Sequence, residues 1–206
     1  MPYEYKVIPT GMLEENCVLV KCTATGKGFI FDPGSEANKI IEQINKMKML
    51  PVAIVNTHAH YDHIGAVAEL KAKYSIPFSV HEKEAEYLPD PAKNYSAVYG
   101  SNLTLQADST FKEGDILECG DVKFRVIHTP GHTFGGSCFY TEGLLVAGDS
   151  IFASSIGRGD LYGGNEQLLI EMLQTKVLTL PENTIIICGH GEKTSVKREK
   201  RENPYL

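Results

Sequence analysis

His58, His60, Asp62 and His63 share one short window, Thr57-His58-Ala59-His60-Tyr61-Asp62-His63-Ile64-Gly65, directly after the apolar run Val52 to Val55. Imidazole nitrogens and carboxylate oxygens are ligands for divalent metals, and packing alone gives no reason to crowd them. Further along the chain His132, Asp149 and His190 each follow an apolar run in the same way. One structural zinc takes four protein ligands, so these seven candidates divide better between two ions. The alternating pair His58 and His60 can face one ion while Asp62 and His63, on the following turn, face the other, with a shared carboxylate as bridge. None of the seven is a thiolate; zinc, iron and manganese all suit them, and zinc is the default for hydrolysis.

Such a cluster needs elements that bring distant segments to one place. Short apolar runs bounded by turn residues alternate with amphipathic stretches, the pattern of a mixed α/β chain with buried strands. Strands are expected at Lys6 to Ile8, Val18 to Lys21, Phe29 to Phe31, Val52 to Val55, Phe78 to Val80, Val122 to Ile127, Cys138 to Tyr140, Leu144 to Ala147 and Thr184 to Cys188. Helices are expected at Ala37 to Lys48, Ile64 to Tyr74, Lys83 to Leu88 and Glu166 to Leu173. Four strands then end at candidate ligands: Val52 to Val55 at His58, Val122 to Ile127 through His128-Thr129-Pro130-Gly131 at His132, Leu144 to Ala147 at Asp149, and Thr184 to Cys188 at His190. Ligands gather beyond the carboxyl ends of strands in open α/β sheets, so one rim is predicted. The irregular segment Pro89 to Asp108 is either a surface connection or part of a substrate entrance.

A length of 206 residues suits one domain, residues 1–206, with a substantial core. A formal charge of −6 argues against general nucleic-acid binding. The N-terminal stretch Met1 to Lys6 has no basic leader and no segment reaches bilayer length, so a cytoplasmic protein without membrane association is expected. Five cysteines, Cys17, Cys22, Cys119, Cys138 and Cys188, form no Cys-x-x-Cys pair and read as buried thiols. Cys188 reads as a small core residue rather than a nucleophile. The chain carries no long heptad pattern, and its oligomeric state is not legible.

The window, together with Thr129-Pro130-Gly131-His132-Thr133, Gly148-Asp149-Ser150 and Gly189-His190-Gly191, resembles the metallo-β-lactamase superfamily over most of the chain. The resemblance implies an αββα sandwich, two central sheets with helices outside and the metal site at one edge. It also implies that His58, His60 and His132 hold one metal, that Asp62, His63 and His190 hold a second, and that Asp149 bridges them. Two close metals generate a hydroxide near neutral pH, and Asp62 would orient it while binding metal.

Within the superfamily, Asp149 to Leu161, containing Gly157-Arg158-Gly159-Asp160, resembles the glyoxalase II and persulfide dioxygenase group. The tail Asn203-Pro204-Tyr205-Leu206 resembles the junction where type II glyoxalases leave the catalytic domain, and the helical extension found there is missing. A short glyoxalase II-like hydrolase is therefore expected. Its implied substrate is a small-molecule thioester such as an S-(2-hydroxyacyl)glutathione, cleaved by a metal-bridging hydroxide. A mononuclear iron persulfide dioxygenase is the alternative, and a non-catalytic metal-binding domain a minor one. Arg158 either meets a substrate carboxylate or pairs with Asp160. Asp32 either orients a metal-bound histidine or stabilises the Pro33-Gly34 turn. Tyr61 reads as cavity wall, and His81 and His128, outside the ligand set, as surface groups or as hydrogen-bonding groups behind the ligands.

Overall fold

The computed structural model describes residues 1–206. Its first sheet runs in the order β1 (Tyr3–Thr10), β2 (Glu15–Cys22), β3 (Lys27–Phe31), β4 (Leu50–Val55), β5 (Phe78–His81) and β6 (Ser109–Phe111). The β1, β2 and β3 strands pair antiparallel, whereas β3 to β6 pair parallel. The second sheet contains β7 (Ile116–Cys119), β8 (Val122–His128), β9 (Ser137–Thr141), β10 (Leu144–Gly148), β13 (Ile185–Cys188) and β14 (Thr194–Ser195) in that spatial order. Here only β10 and β13 are parallel. A two-stranded hairpin, β11 (Ile151–Phe152) with β12 (Ser155–Ile156), stands apart.

Successive side chains of a strand point to opposite faces, and in β2 both faces are buried, Val18 and Val20 on one and Cys17 and Leu19 on the other. A strand covered on both sides requires a layer above and a layer below. Val18, Val20, Phe29 and Phe31 meet Phe124, Val126, Phe139 and Val146 of the second sheet, forming the core between the sheets. The Phe31 ring lies 5.2 Å from those of both Phe124 and Phe139. On the outer face Leu19, Ile30 and Ile54 pack with Ile40 and Ile44 of α1 (Ala37–Met47) and with Val67 and Leu70 of α3 (Val67–Tyr74). The second sheet turns Leu145, Ala147 and Ile186 toward Leu169 of α4 (Glu166–Met172) and Val196 of α5 (Val196–Glu202). The layers are therefore helix, sheet, sheet, helix, as the resemblance implied.

Several boundaries differ from the sequence reading. The helix expected from Ile64 is two pieces, a single turn α2 (Tyr61–Ile64) and then α3, so Asp62 and His63 lie inside a helical turn. Lys83 to Leu88 is not an α-helix but a 3-10 turn, Glu82–Glu84, followed by irregular turns. The β6, β7 and β14 strands and α5 were not anticipated. In α5 only Val196 and Glu199 are buried, leaving little apolar periodicity to detect. Pro89 to Asp108 is irregular apart from a 3-10 turn at Ser96–Tyr99.

Candidate metal centre

The carboxyl ends of β4, β8, β10 and β13 lie together at one edge of the sandwich, so the predicted rim draws on both sheets. His58, His60 and His132 present ligand atoms within 4.8 Å of one another, and so do Asp62, His63 and His190. Asp149 stands between the two groups: its Oδ1 is 3.4 Å from His63 Nε2, and its Oδ2 is 3.6 Å from His132 Nε2 and 3.7 Å from His190 Nε2. Asp62 Oδ2 lies 3.2 Å from His190 Nε2. All seven residues singled out by spacing thus converge.

Hydrogen bonds around the cluster fix which ring nitrogen faces inward. Asp32 accepts from the Thr57 N–H (2.7 Å), the Thr57 hydroxyl (2.5 Å) and His63 Nδ1 (3.1 Å). The Thr57 proton is committed to Asp32, so Thr57 Oγ1 accepts from His58 Nδ1 at 3.1 Å. His132 Nδ1 donates to the Arg158 carbonyl and His190 Nδ1 to the Leu13 carbonyl, each at 2.9 Å. An imidazole that donates through Nδ1 offers a lone pair at Nε2, and in these four rings Nε2 is the inward nitrogen. His60 instead turns Nδ1 to His132 Nε2 at 3.0 Å. Asp32, whose two sequence readings were left open, thus orients His63 directly and His58 through Thr57.

Burial and mutual charge set the electrostatics. Burial pushes His58 well below the ordinary imidazole range, and burial with the neighbouring His132 brings His60 down to about 3. For His63 burial acts downward too, but the Asp149 and Asp62 carboxylates outweigh it and raise the ring well above its usual value. Burial alone would raise Asp149 and Asp62, yet His63 and the adjacent imidazoles hold both below the usual carboxylate range. His58 Nε2, His60 Nε2, His63 Nε2 and Asp149 Oδ1 are buried with no hydrogen-bond partner. Unpaired buried donors and acceptors are costly, and a divalent cation is the group that would satisfy nitrogen lone pairs and carboxylates together.

Residues that sequence reasoning passed over complete the frame. Asn56 Nδ2 donates to the His63 carbonyl at 2.7 Å. Asn16 Nδ2 holds the Cys188 and Gly191 carbonyls, each at 3.0 Å, clamping the turn that carries His190 to the β1–β2 hairpin. Gly189 allows a close approach to a ligand side chain, because a Cβ there would stand 2.0 Å from Asp149 Oδ1. Glu84, fully buried, accepts from the Ala59 N–H (2.8 Å) and the Gly135 N–H (2.7 Å). Its sequence surroundings, Glu82-Lys83-Glu84-Ala85-Glu86, give no sign of burial. His81 and His128 stack on each other at 4.1 Å, outside both metal groups, and His81 is buried rather than at the surface. All five cysteines are free and buried, and burial raises Cys188 to about 12.

A cavity of about 350 Å³ opens onto the cluster. Tyr61, Tyr95, Tyr99 and Leu161 form its walls with Arg158 at one side, and Tyr61 stacks on Tyr99 at 4.1 Å. The irregular segment after Pro89 therefore supplies part of this cavity's wall through Tyr95, Val98 and Tyr99. Arg158 also makes a two-pronged pair with Asp160, both contacts 2.7 Å, and holds that carboxyl down to about 2. Of its two sequence readings the pair with Asp160 is present, made by a side chain that also lines the cavity.

Two mixed sheets between helices, with buried histidines and aspartates at their common edge, define a metal-site protein of the αββα class. Residues 10–190 match the Metallo-beta-lactamase superfamily, and the chain belongs to that family. It is 37% identical over 207 residues to the probable metallo-hydrolase YqgX of Bacillus subtilis, covering 98% of this chain and 97% of the relative. It is 34% identical over 209 residues to the hydroxyacylglutathione hydrolase GloC of Haemophilus influenzae, with 98% and 97% covered. Among solved structures it resembles the BLEG-1 B3 metallo-beta-lactamase (39% identity, TM-score 0.94, 98% of this chain and 99% of that one). TTHA1623 in a di-iron-bound form is also similar (32% identity, TM-score 0.87, 98% and 100% covered). Fold, cluster and relatives together support a metal-dependent hydrolase. No helix is long and apolar enough to cross a membrane.

Proposed function

We propose that this chain hydrolyses thioesters of the S-(2-hydroxyacyl)glutathione type at a two-metal site. His58, His60 and His132 would hold one divalent cation, Asp62, His63 and His190 the other, with Asp149 between them and zinc the expected metal. The donor set fits such a pair because the inward Nε2 atoms of His58 and His63, and Asp149 Oδ1, are buried and unpartnered. When bound, the cations supply Lewis acidity toward a carbonyl and make a water nucleophile accessible near neutral pH.

The chain's own residues do the rest. Asp62 stays ionised below its usual range, so it accepts a hydrogen bond and orients water rather than donating a proton. Asp32 takes the Nδ1 proton of His63 and Thr57 that of His58, which turns Nε2 of each ring toward the site of a bound cation. The tyrosine and leucine walls exclude bulk water from one side of the reacting carbonyl. Arg158 offers a planar fork to a substrate carboxylate, in exchange for its contact with Asp160.

The observation that carries the thioester reading is the make-up of the cavity. Outside the cluster its ionisable wall groups are three tyrosines and Arg158, with no carboxyl or imidazole among them. A leaving thiolate needs no proton donor, since a thiol ionises near pH 8.5, whereas an alkoxide or amide nitrogen does. The 34% identity to GloC supports the same substrate class.

The test is a panel of acyl thioesters with metal-loaded wild type and Asp149→Asn. Turnover of 2-hydroxyacyl thioesters by the wild type, lost in the variant, is the expected result, and no cleavage of any thioester overturns the assignment. A chromogenic β-lactam belongs in the panel because of the likeness to BLEG-1. One iron per chain with persulfide-dependent oxygen uptake would instead establish a dioxygenase.

A further inference from the structure

We propose that Glu84 is a positioning residue for the metal ligands, fixing the distance between the His58–His60 turn and the loop carrying His132. The inference rests on the metal-site reading above. His60 follows β4 of the first sheet and His132 follows β8 of the second, so no single strand ladder sets their separation, yet His60 Nδ1 and His132 Nε2 are 3.0 Å apart. One backbone bond joins these two segments directly, from the Ser137 N–H to the Thr57 carbonyl at 3.0 Å. Glu84 adds the second tie. One carboxyl oxygen takes the N–H of Ala59, between the two window histidines, and the other takes the N–H of Gly135, in the loop after His132.

The surroundings are shaped for this clip. A Cβ at Gly135 would stand 2.7 Å from Glu84 Cγ and 2.9 Å from its backbone nitrogen, so only glycine lets the loop approach this closely. The same segment holds both flanks of the clip. Asn94 accepts the Tyr61 N–H at 2.8 Å, so the amides on either side of His60 are both anchored, and the Tyr87 hydroxyl accepts the Phe134 N–H at 3.2 Å. A buried carboxylate with two backbone donors is a rigid connector, because loss of either bond leaves a charge or an amide unsatisfied in the interior.

The side chain touches neither substrate nor metal in this arrangement, so its effect must be read at the metal. Glu84→Gln keeps the shape but retains one acceptor, and its NH2 group confronts one of the two amides. Zinc affinity by competition with a chromogenic chelator, and the visible spectrum of the cobalt-loaded protein, are compared for wild type, Glu84→Gln, Glu84→Asp and Ile44→Ala. Ile44, buried on α1 in the outer core, controls for loss of stability alone.

Glu84→Gln is expected to fold, to lose affinity by about 10- to 100-fold, the range for groups that orient metal ligands, and to shift the cobalt bands. Ile44→Ala is expected to melt earlier with wild-type affinity and spectrum. A folded Glu84→Gln with wild-type affinity and spectrum overturns the proposal, and so does failure of both Glu84 variants to fold while Ile44→Ala folds, since that assigns the residue to overall stability. Failure of the wild type to bind zinc would instead strike the metal-site reading itself.

Discussion

Asp32→Asn tests the logic of the cluster at its root. Asp32 has a left-handed backbone, φ 46°, a conformation that asparagine tolerates as well as aspartate, so the substitution isolates the hydrogen bonds from backbone strain. An asparagine can keep its carbonyl on the Thr57 N–H, which places its NH2 where Oδ2 now accepts from the Thr57 hydroxyl and His63 Nδ1. The hydroxyl must then turn to accept from the amide, and its proton points at His58 Nδ1. Both rings are driven to carry their proton on Nε2, the nitrogen that faces the metal groups. Reversing this on metal binding costs about 10- to 100-fold in affinity, or roughly 1.4–2.7 kcal/mol.

The metal-free variant also loses charge-assisted hydrogen bonds worth about 1.5–3 kcal/mol each. Taking a net loss of about 3 kcal/mol, a chain of this size should melt roughly 6–12 °C earlier. Chelator competition gives the affinity and thermal melting of metal-free protein gives the stability. A variant that melts earlier but binds zinc as tightly as the wild type would refute the tautomer argument, leaving Asp32 only a role in its turn.

Gly189→Ala should abolish tight metal binding at one site and lower turnover at least 100-fold while leaving the secondary structure intact, because its Cβ would overlap Asp149 Oδ1 at 2.0 Å; metal content and circular dichroism check this. Above pH 6.5, raising the pH should weaken the metal-free protein and strengthen metal binding, so the melting gap between the two forms widens. His63 and His190 are raised above 6.5, their carboxylate partners outweighing burial, so the stability of their protonated forms is present below pH 6.5 and lost as pH rises through the folded values, while a cation must displace the same protons. A melting gap that is flat or narrows between pH 6.5 and 8.5 contradicts this. Asp160→Asn releases the Arg158 fork, and should lower KM several-fold for a thioester bearing a carboxylate while leaving a neutral one unchanged; equal effects on both would remove Arg158 as the carboxylate contact.

The ligand set was legible because each member follows an apolar run, and a strand end is a position that sequence pattern can locate. The inner and outer faces of the sheets were equally readable where both faces are apolar, as in β2 and β3. Elements whose burial is decided elsewhere were not. Phe111 is the one buried residue of β6, and β7 buries only Cys119, so neither strand carries an apolar run of its own. Glu84 lies among charged neighbours and becomes interior only because two loops from different sheets close over it. Asn16 is similar, since its partners Cys188 and Gly191 are remote in sequence. Charge and local pattern describe such residues as surface; only the packing of one sheet on the other makes them part of the site.

The division of the donor atoms between the two sheets would give any bound cation a kinetic role. His58, His60, Asp62 and His63 move with the first sheet, and His132, Asp149 and His190 with the second. A cation shared across that boundary would rivet the sandwich along one edge, and the sheets could not then part there without breaking several coordination bonds at once. Such cross-links form only after both layers have docked, so they lengthen the lifetime of the folded chain more than they hasten its formation. A chelator would then act as an unfolding accelerant, and the protein's persistence in a cell would follow its supply of metal.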